Sequence, residues 1–139
     1  MRIFLFLAFF ISNVYAQTVY NYNITRVIDG DTVEIDVPNL PKELSKIKLR
    51  IYGIDSPESG AKAKCEKERM MAKSATDFAK KLVKNSNNIQ ITIRKWDKYG
   101  GRIVGDLILD EKNYRDIMID KKLVNPYDGK KKQAWCTGK

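Results

Sequence analysis

Histidine is absent from this chain of 139 residues. Because histidine is the usual general base near neutral pH and the commonest metal-binding side chain, its absence excludes several classes of catalysis. Ser-His-Asp and Cys-His nucleophilic catalysis, His-ligated zinc hydrolysis and ribonuclease chemistry by paired histidines all lack their central residue. A hydrolase with this composition must therefore use carboxylates and cationic side chains, with or without a hard metal ion.

Cysteine is scarce, with Cys65 and Cys136 as the two in the sequence. Two thiols alone cannot form a closed zinc site. In an exported chain an even pair predicts one disulfide, here between the middle of the chain and its C-terminus. Closing so long a loop would contribute about 4 kcal/mol if the bond is unstrained. Two free buried thiols are the alternative.

Long apolar runs are also scarce, and the one that bears on protein targeting lies at the N-terminus. Arg2 precedes an apolar stretch over residues 3–11, and Val14-Tyr15-Ala16 resembles a small-residue cleavage site. This order predicts a signal peptide over residues 1–16 and a mature chain that begins at Gln17. A retained anchor is the alternative, but the run is shorter than the roughly 20 residues of a spanning helix. Residues 17–139 have the length of one domain, and we see no linker or repeat.

Acidic residues are outnumbered, with 17 Asp and Glu against 26 Lys and Arg, for a formal net charge of +9. Loss of Arg2 with the signal peptide would lower this value by one. A basic surface attracts polyanions such as nucleic acid. The alternative is an ordinary lysine-rich surface, since charge alone specifies no chemistry.

Five segments have the alternating apolar pattern of strands. The first two form a hairpin around Asp29-Gly30, and Ile47, Leu49 and Ile51 mark a third strand whose opposite face carries Arg50. Apolar residues at helical spacing predict a helix between about 65 and 84, on the stripe Met71, Ala75, Phe78 and Leu82. Further strands follow at 89–93 and 103–109, and a short helix at about 113–121. The pattern predicts an α+β, mainly β fold: a five-stranded OB-type barrel with its main helix after the third strand.

Acidic side chains cluster at the ends of these strands, at Asp31, Asp55 and Glu58, with Arg50 and Arg102 on neighbouring strand segments. Carboxylates brought together repel unless a cation lies among them, and oxygen ligands favour Ca²⁺, Mg²⁺ or Mn²⁺. Guanidinium groups beside such a metal suit a phosphodiester. Each part also has an ordinary alternative: a hairpin turn, a helix cap with Pro57, or a solvated arginine.

Three motifs in this order resemble the staphylococcal nuclease (thermonuclease) family. They are residues 27–33 (VIDGDTV), residues 49–58 (LRIYGIDSPE) and residues 97–102 (DKYGGR). The resemblance covers most of the chain after the signal peptide and implies the OB fold of that family.

The resemblance also implies site residues. Asp31 and Asp55 would bind Ca²⁺ through their carboxylates, with the carbonyl of Ser56 as a further ligand. Glu58 would position or deprotonate the attacking water, which is associated with the metal, while Arg50 and Arg102 would hold the phosphate. Mg²⁺ or Mn²⁺ are possible substitutes for Ca²⁺.

Substrate contacts are implied for three further residues. Lys98 and Tyr99 would contact nucleotide phosphate, and Tyr127 would supply an aromatic side chain near the substrate. A tyrosine in such a place is equally often a packing residue.

The sequence departs from the family pattern in three places. Two glycines precede Arg102 where one is usual, so the position of the arginine depends on how the extra residue is accommodated. Ser56 stands where threonine is common. The C-terminal helix of the family is shortened to residues 130–136, where a bridge from Cys136 to Cys65 would replace some of its stabilisation.

Together these observations predict a secreted or periplasmic, monomeric nuclease that hydrolyses DNA and RNA with little sequence specificity. The resemblance implies that it depends on Ca²⁺ and leaves 3′-phosphate ends. The alternative is a non-catalytic OB module that binds nucleic acid. A cationic secreted adhesin or toxin subunit is a third possibility, supported by the charge and the signal peptide alone.

Overall fold

The computed structural model describes residues 17–136. The predicted signal peptide lies outside this range. The described part contains two α-helices, one short 3-10 helix and nine strands, most of them short. In chain order they are β1 (Val19–Tyr20), β2 (Asn23–Val27), β3 (Thr32–Asp36), β4 (Lys46–Ile51), β5 (Ile54–Asp55), the 3-10 helix (Gly60–Lys62), α1 (Glu66–Asn85), β6 (Ile89–Trp96), β7 (Arg102–Leu109), β8 (Lys112–Asn113), α2 (Tyr114–Asp120) and β9 (Asn125–Pro126).

The main sheet has the strand order β1-β6-β7-β4-β3-β2, and β8 pairs with β7. The β4–β7 pair is parallel and the other pairs are antiparallel. β1 and β2 lie at opposite ends of this order although two residues separate them in the chain, so the sheet must curve round towards itself. This architecture confirms the prediction of an OB-like, mainly β fold with one main and one short helix.

The number of strands differs from the prediction. The five predicted strands correspond to β2, β3, β4, β6 and β7, and the four others have two residues each. Two residues are too few to show a hydrophobic period, which is why they were not predicted. The chain also changes neighbour after Tyr20, because β1 pairs with β6 while β2 pairs with β3. Within residues 17–136 no ladder joins β1 to β2, so the barrel is not closed by hydrogen bonds.

Alternate residues of the long strands form the core on the inner face of the curved sheet, with α1 and α2 contributing the rest. The helix α1 buries alanines, and its larger apolar residues Phe78 and Leu82 are only partly buried at the edge of the core. Alanine lets the helix axis approach the sheet closely. Fully buried side chains include Val33, Ile35, Leu49, Ile51, Ile91, Leu107, Tyr114 and Met118.

In the part of the chain that the structure describes, no helix has the length and apolarity needed to span a bilayer.

Candidate active site

The three motifs come together at one end of the sheet. The turn between β2 and β3 carries Asp31, and the antiparallel register places Thr32 opposite Arg50 near the end of β4. The amide of Ile51 donates to the carbonyl of Asp31 over 2.8 Å. Residues distant in sequence therefore share one site because β3 and β4 pair along their full length.

Two packing contacts hold the turn in place. A side chain at Gly30 would bring its Cβ within 2.6 Å of the Ser56 hydroxyl and 3.0 Å of Ala75 on α1, so the close approach requires glycine. The buried hydroxyl of Tyr114, on α2, donates to the carbonyl of Gly30 over 2.9 Å. Both helices thus position the turn that carries Asp31.

Asp31 is almost completely buried and receives several hydrogen bonds. One carboxylate oxygen, Oδ2, accepts from the amide of Ser56 at 2.6 Å and lies 3.2 Å from Arg50 Nη2. The other oxygen accepts from the hydroxyl of Thr32 at 2.8 Å. Asp31 and the loop after β5 are therefore joined directly.

Burial raises the pKa of Asp31 to about 6, and the neighbouring negative charge of Asp29 adds to this increase. The Arg50 guanidinium and the bond from Ser56 oppose the change without cancelling it. The carboxyl group of Asp31 is therefore held where its negative charge is not fully compensated by the protein.

Asp55 is also buried, and its Oδ1 lies 3.6 Å from Arg50 Nη2. Arg50 thus lies between two carboxylates, while its Nη1 donates to the carbonyl of Ile51 at 3.1 Å. Among the described residues, Oδ1 of Asp55 meets the cationic side chains of Arg50 and Lys132. A buried carboxylate is costly unless cationic groups or a metal ion lie beside it.

Glu58 lies on the solvent side of the acidic cluster, with its side chain 42% exposed. Its amide donates to Glu68 Oε1 at 3.2 Å, which fixes the loop against the first turn of α1. Its carboxylate is thus held near the surface, where Lys132 contacts it.

Lys132 was not predicted as a site residue, yet its ammonium lies in this cluster. Its Nζ is 2.8 Å from Asp55 Oδ1 and 3.3 Å from Glu58 Oε1. Although partial burial acts to lower the pKa of Lys132, its contacts with the two carboxylates raise it. The sequence signal was a run of three lysines, which normally indicates a solvated segment.

The donor set fits a hard divalent cation. Asp31 and Asp55 offer buried carboxylate oxygens, and the loop places Ser56 beside them. Oxygen-only sites of this kind suit Ca²⁺, Mg²⁺ or Mn²⁺.

A cavity of about 330 Å³ opens beside the acidic cluster. Arg50 lines this cavity as well as pairing with Asp31 and Asp55, so it connects the two parts of the site. Arg102 lines the same cavity. Five other basic or aromatic residues also line it: Tyr52, Lys95, Trp96, Lys98 and Tyr127. Lys95 and Trp96 were not predicted, because they belong to none of the motifs.

The doubled glycine is accommodated in the turn before β7. Gly101 has a φ of +67°, a left-handed conformation that favours glycine. Its carbonyl accepts from the amide of Lys48 at 3.0 Å, and Arg102 then opens β7 opposite Lys48. The structure therefore places Arg102 on the same cavity as Arg50.

The side chain of Arg102 is held by two neighbours. Its Nε donates to Asp97, and its guanidinium carbon lies 4.5 Å from the centre of the Tyr99 ring. Burial acts to raise the pKa of Asp97, but the hydrogen bond from Arg102 opposes this effect, and the pKa of Asp97 lies below its usual value. The Nη groups of Arg102 take no part in that bond, so they remain available to an anion.

Of the three predicted substrate-contacting residues, two line the cavity and one does not. Lys98 and Tyr127 line the cavity, whereas Tyr99 is 54% exposed beside Arg102 and is not among the lining residues. Tyr127 is positioned by the pairing of β5 with β9 and by its amide, which donates to the carbonyl of Gly53 at 2.9 Å.

Comparisons with known proteins point to one family. The family model described as staphylococcal nuclease homologue matches residues 48–133, which is more than half of the chain. Thermonuclease from Staphylococcus hyicus is 29% identical over 121 residues, an alignment that covers 84% of this chain and 66% of that protein. The chain thus spans just under two thirds of that relative's length. The family match contains Arg50, Asp55, Glu58 and Arg102, and Asp31 precedes it.

Proposed function

Because the chain belongs to the family of staphylococcal nuclease homologues, we propose that it is a metal-dependent nuclease that hydrolyses phosphodiester bonds of DNA and RNA with little sequence specificity. The observation that carries this proposal is the position of Arg50. It contacts the two buried carboxylates and also lines the cavity with Arg102. A phosphodiester in the cavity would thereby lie beside both the acidic cluster and two guanidinium groups.

Asp31, Asp55 and the carbonyl of Ser56 would hold the metal, with Ca²⁺ as the expected ion and Mg²⁺ or Mn²⁺ as substitutes. When bound, the ion would supply positive charge next to the phosphate and would polarise water. The protein contribution is to hold two carboxylates in a buried, rigid position, where the deficit of positive charge favours a cation.

The other residues would act on water and phosphate. Glu58 is exposed to solvent, and Lys132 contacts both Glu58 and Asp55. Glu58 is therefore placed to orient the attacking water and accept its proton. Arg50 and Arg102 would form charge-assisted hydrogen bonds to phosphate oxygens and stabilise charge that develops in the transition state. Lys98 and Tyr99 would contact nucleotide phosphate, and Tyr127 would supply an aromatic side chain near the substrate. By family resemblance, cleavage would leave 3′-phosphate ends.

Residues 17–139 would form the catalytic domain, exported by the signal peptide over residues 1–16 to the periplasm or the medium and acting as a monomer. The structure joins Cys65 to Cys136, with their Cα atoms 6.1 Å apart. We propose that this disulfide forms after export, because oxidising compartments are where such bonds persist.

The test is hydrolysis of single- and double-stranded DNA and RNA by residues 17–139 with Ca²⁺, Mg²⁺, Mn²⁺ or a chelator. We expect Glu58→Gln to lower the rate by about 10² or more without a change in circular dichroism or melting temperature. Glu43→Gln is the matched control, since Glu43 is exposed in the loop after β3, at the opposite end of that strand from Asp31.

Two outcomes would contradict the proposal. Undiminished hydrolysis in excess EGTA and EDTA would eliminate the metal mechanism. Binding of nucleic acid without cleavage under every metal condition would instead favour the non-catalytic OB module.

A further inference from the structure

Lys132 places a cationic group of the protein among the carboxylates of the proposed metal site. Its Nζ lies 2.8 Å from Asp55 Oδ1 and 3.3 Å from Glu58 Oε1. None of the three family motifs contains this residue. The same oxygen of Asp55 lies 3.6 Å from Arg50 Nη2, so the ammonium and the guanidinium share it.

The segment that carries Lys132 is fixed at both ends. At its start, β9 pairs with β5, and the amide of Tyr127 donates to the carbonyl of Gly53. At its end, Cys136 is bonded to Cys65, the residue that caps the N-terminus of α1. Between these points the segment has no helix or strand, so its path over the site depends on the two attachments.

The disulfide and the Glu58 loop both contact one buried carboxylate. Glu68, on the first turn of α1, accepts hydrogen bonds from the amides of Glu58 at 3.2 Å and Lys64 at 2.7 Å. Cys136 Sγ lies 3.7 Å from the same carboxylate. The disulfide that anchors the C-terminal segment therefore lies next to the carboxylate that holds the Glu58 loop.

The exposure of Lys132 allows a metal ion to displace its ammonium from Asp55. The side chain of Lys132 is 52% exposed, whereas that of Asp55 is 3% exposed. Because the ammonium is half exposed, it can return to water when a divalent cation with stronger attraction for the carboxylates takes its place. Because the segment is attached nearby, the ammonium nevertheless remains at high effective concentration.

We propose that Lys132 is a built-in competitor for the divalent cation, and that the Cys65–Cys136 bond holds it in place. Lys132 thereby offsets part of the negative charge of Asp55 and Glu58 in the metal-free protein and sets the metal concentration at which the site fills. The inference rests on the metal site of the proposed function and adds to it a residue that determines metal affinity.

The experiment is calorimetric titration of Ca²⁺ into metal-free protein at constant ionic strength and neutral pH. We expect Lys132→Gln to tighten Ca²⁺ binding by about 3- to 30-fold, because one or two weak ion pairs no longer compete. Lys132→Arg retains the charge and should stay closer to the original affinity. Lys130→Gln is the matched control for a general charge effect and should change the dissociation constant less than about twofold.

The disulfide is tested in the same titration. The double variant Cys65→Ser, Cys136→Ser should tighten Ca²⁺ binding when Lys132 is present, and it should add little when Lys132 has been replaced by Gln. Full additivity of the two changes would overturn the role assigned to the bond. A melting curve taken without metal shows whether each variant is folded.

The outcomes separate this inference from the function on which it rests. Ca²⁺ binding that is equal or weaker in Lys132→Gln would overturn the inference and leave the metal site standing. An equal gain in the Lys130→Gln control would also overturn it. Absence of Ca²⁺ binding in every folded variant would overturn both.

Discussion

Arg50 and the two carboxylates beside it form a buried group whose charges do not balance. One guanidinium contacts both Asp31 and Asp55, at 3.2 and 3.6 Å. Removing one member of such a group leaves an uncompensated buried charge, which is more damaging than the loss of an exposed ion pair. Variants of Arg50 therefore test folding and phosphate binding together, whereas Asp31 offers a cleaner test because its excess charge is itself unfavourable.

We expect Asp31→Asn to stabilise the metal-free protein at neutral pH. Burial raises the pKa of Asp31 from 3.8 to about 6, so between these values the folded state binds more protons than the unfolded state. The free energy of unfolding must then decrease as pH rises through this interval. The favourable contribution is complete below the unfolded pKa and is lost above the folded one, with a size on the order of 2–3 kcal/mol.

Urea unfolding in a chelator at pH 4, 5, 6 and 7 measures the effect. The difference in unfolding free energy between Asp31→Asn and the unmodified protein should increase with pH and level off above about 6, where Asp31 is ionised in both states. Carboxylates distant from Asp31 contribute equally to both proteins and cancel. Parallel pH profiles would show that the charge of Asp31 carries no penalty.

At the scale of elements, β7 connects most of the fold. It pairs with β4, β6 and β8, and it begins with Arg102. Its buried Asp106 accepts from Thr92 and Arg94 on β6. The register shifts between Ile93 and Lys95, close to where Gly105 faces β6. This irregularity sets how far β7, and with it Arg102, advances along the sheet.

Gly105→Ala should destabilise the protein strongly. A Cβ at this position would lie 2.0 Å from the carbonyl oxygen of Thr92, and backbone cannot move as a flexible side chain can. We expect a loss of about 3 kcal/mol or more in the free energy of unfolding. Gly100→Ala is the control, since its Cβ would meet no atom within 4 Å. Equal urea midpoints for the two variants would contradict this account of β7.

The sequence alone predicted the long elements, the family and the residues that the family motifs contain. Alternation over five or more residues identifies a strand, and three spaced motifs identified the family. It did not predict the short pair β5–β9, although this pair positions Tyr127 at the cavity. Nor did it predict Lys132, because a lysine run carries no signal for the partner it meets. That contact arises from tertiary structure, through the β9 pairing and Cys136.

At the scale of the whole molecule, the positive charge must act close to an acidic site. The net charge is +9, yet Asp31, Asp55 and Glu58 would repel a polyanion at close range. The basic residues that line the cavity offset this repulsion where a nucleic acid would lie, and Lys95 belongs to this group without belonging to any motif. A variant of Lys95 therefore tests binding of the nucleic-acid backbone separately from catalysis.

We expect Lys95→Gln to weaken binding of single-stranded DNA at low salt and to have a smaller effect at high salt. Each phosphate contact with a single strand contributes about 0.7 to the slope of log K against log salt concentration, so the variant should lose about that much. Binding is measured by fluorescence anisotropy of a labelled oligonucleotide in excess EGTA and EDTA, which prevents cleavage.

Lys81→Gln is the control, because Lys81 is exposed on α1 and does not line the cavity. The loss should be similar for different base sequences, since a phosphate carries no sequence information. Identical salt slopes for the two variants would show that the charge of the chain attracts nucleic acid without directing its backbone across the cavity.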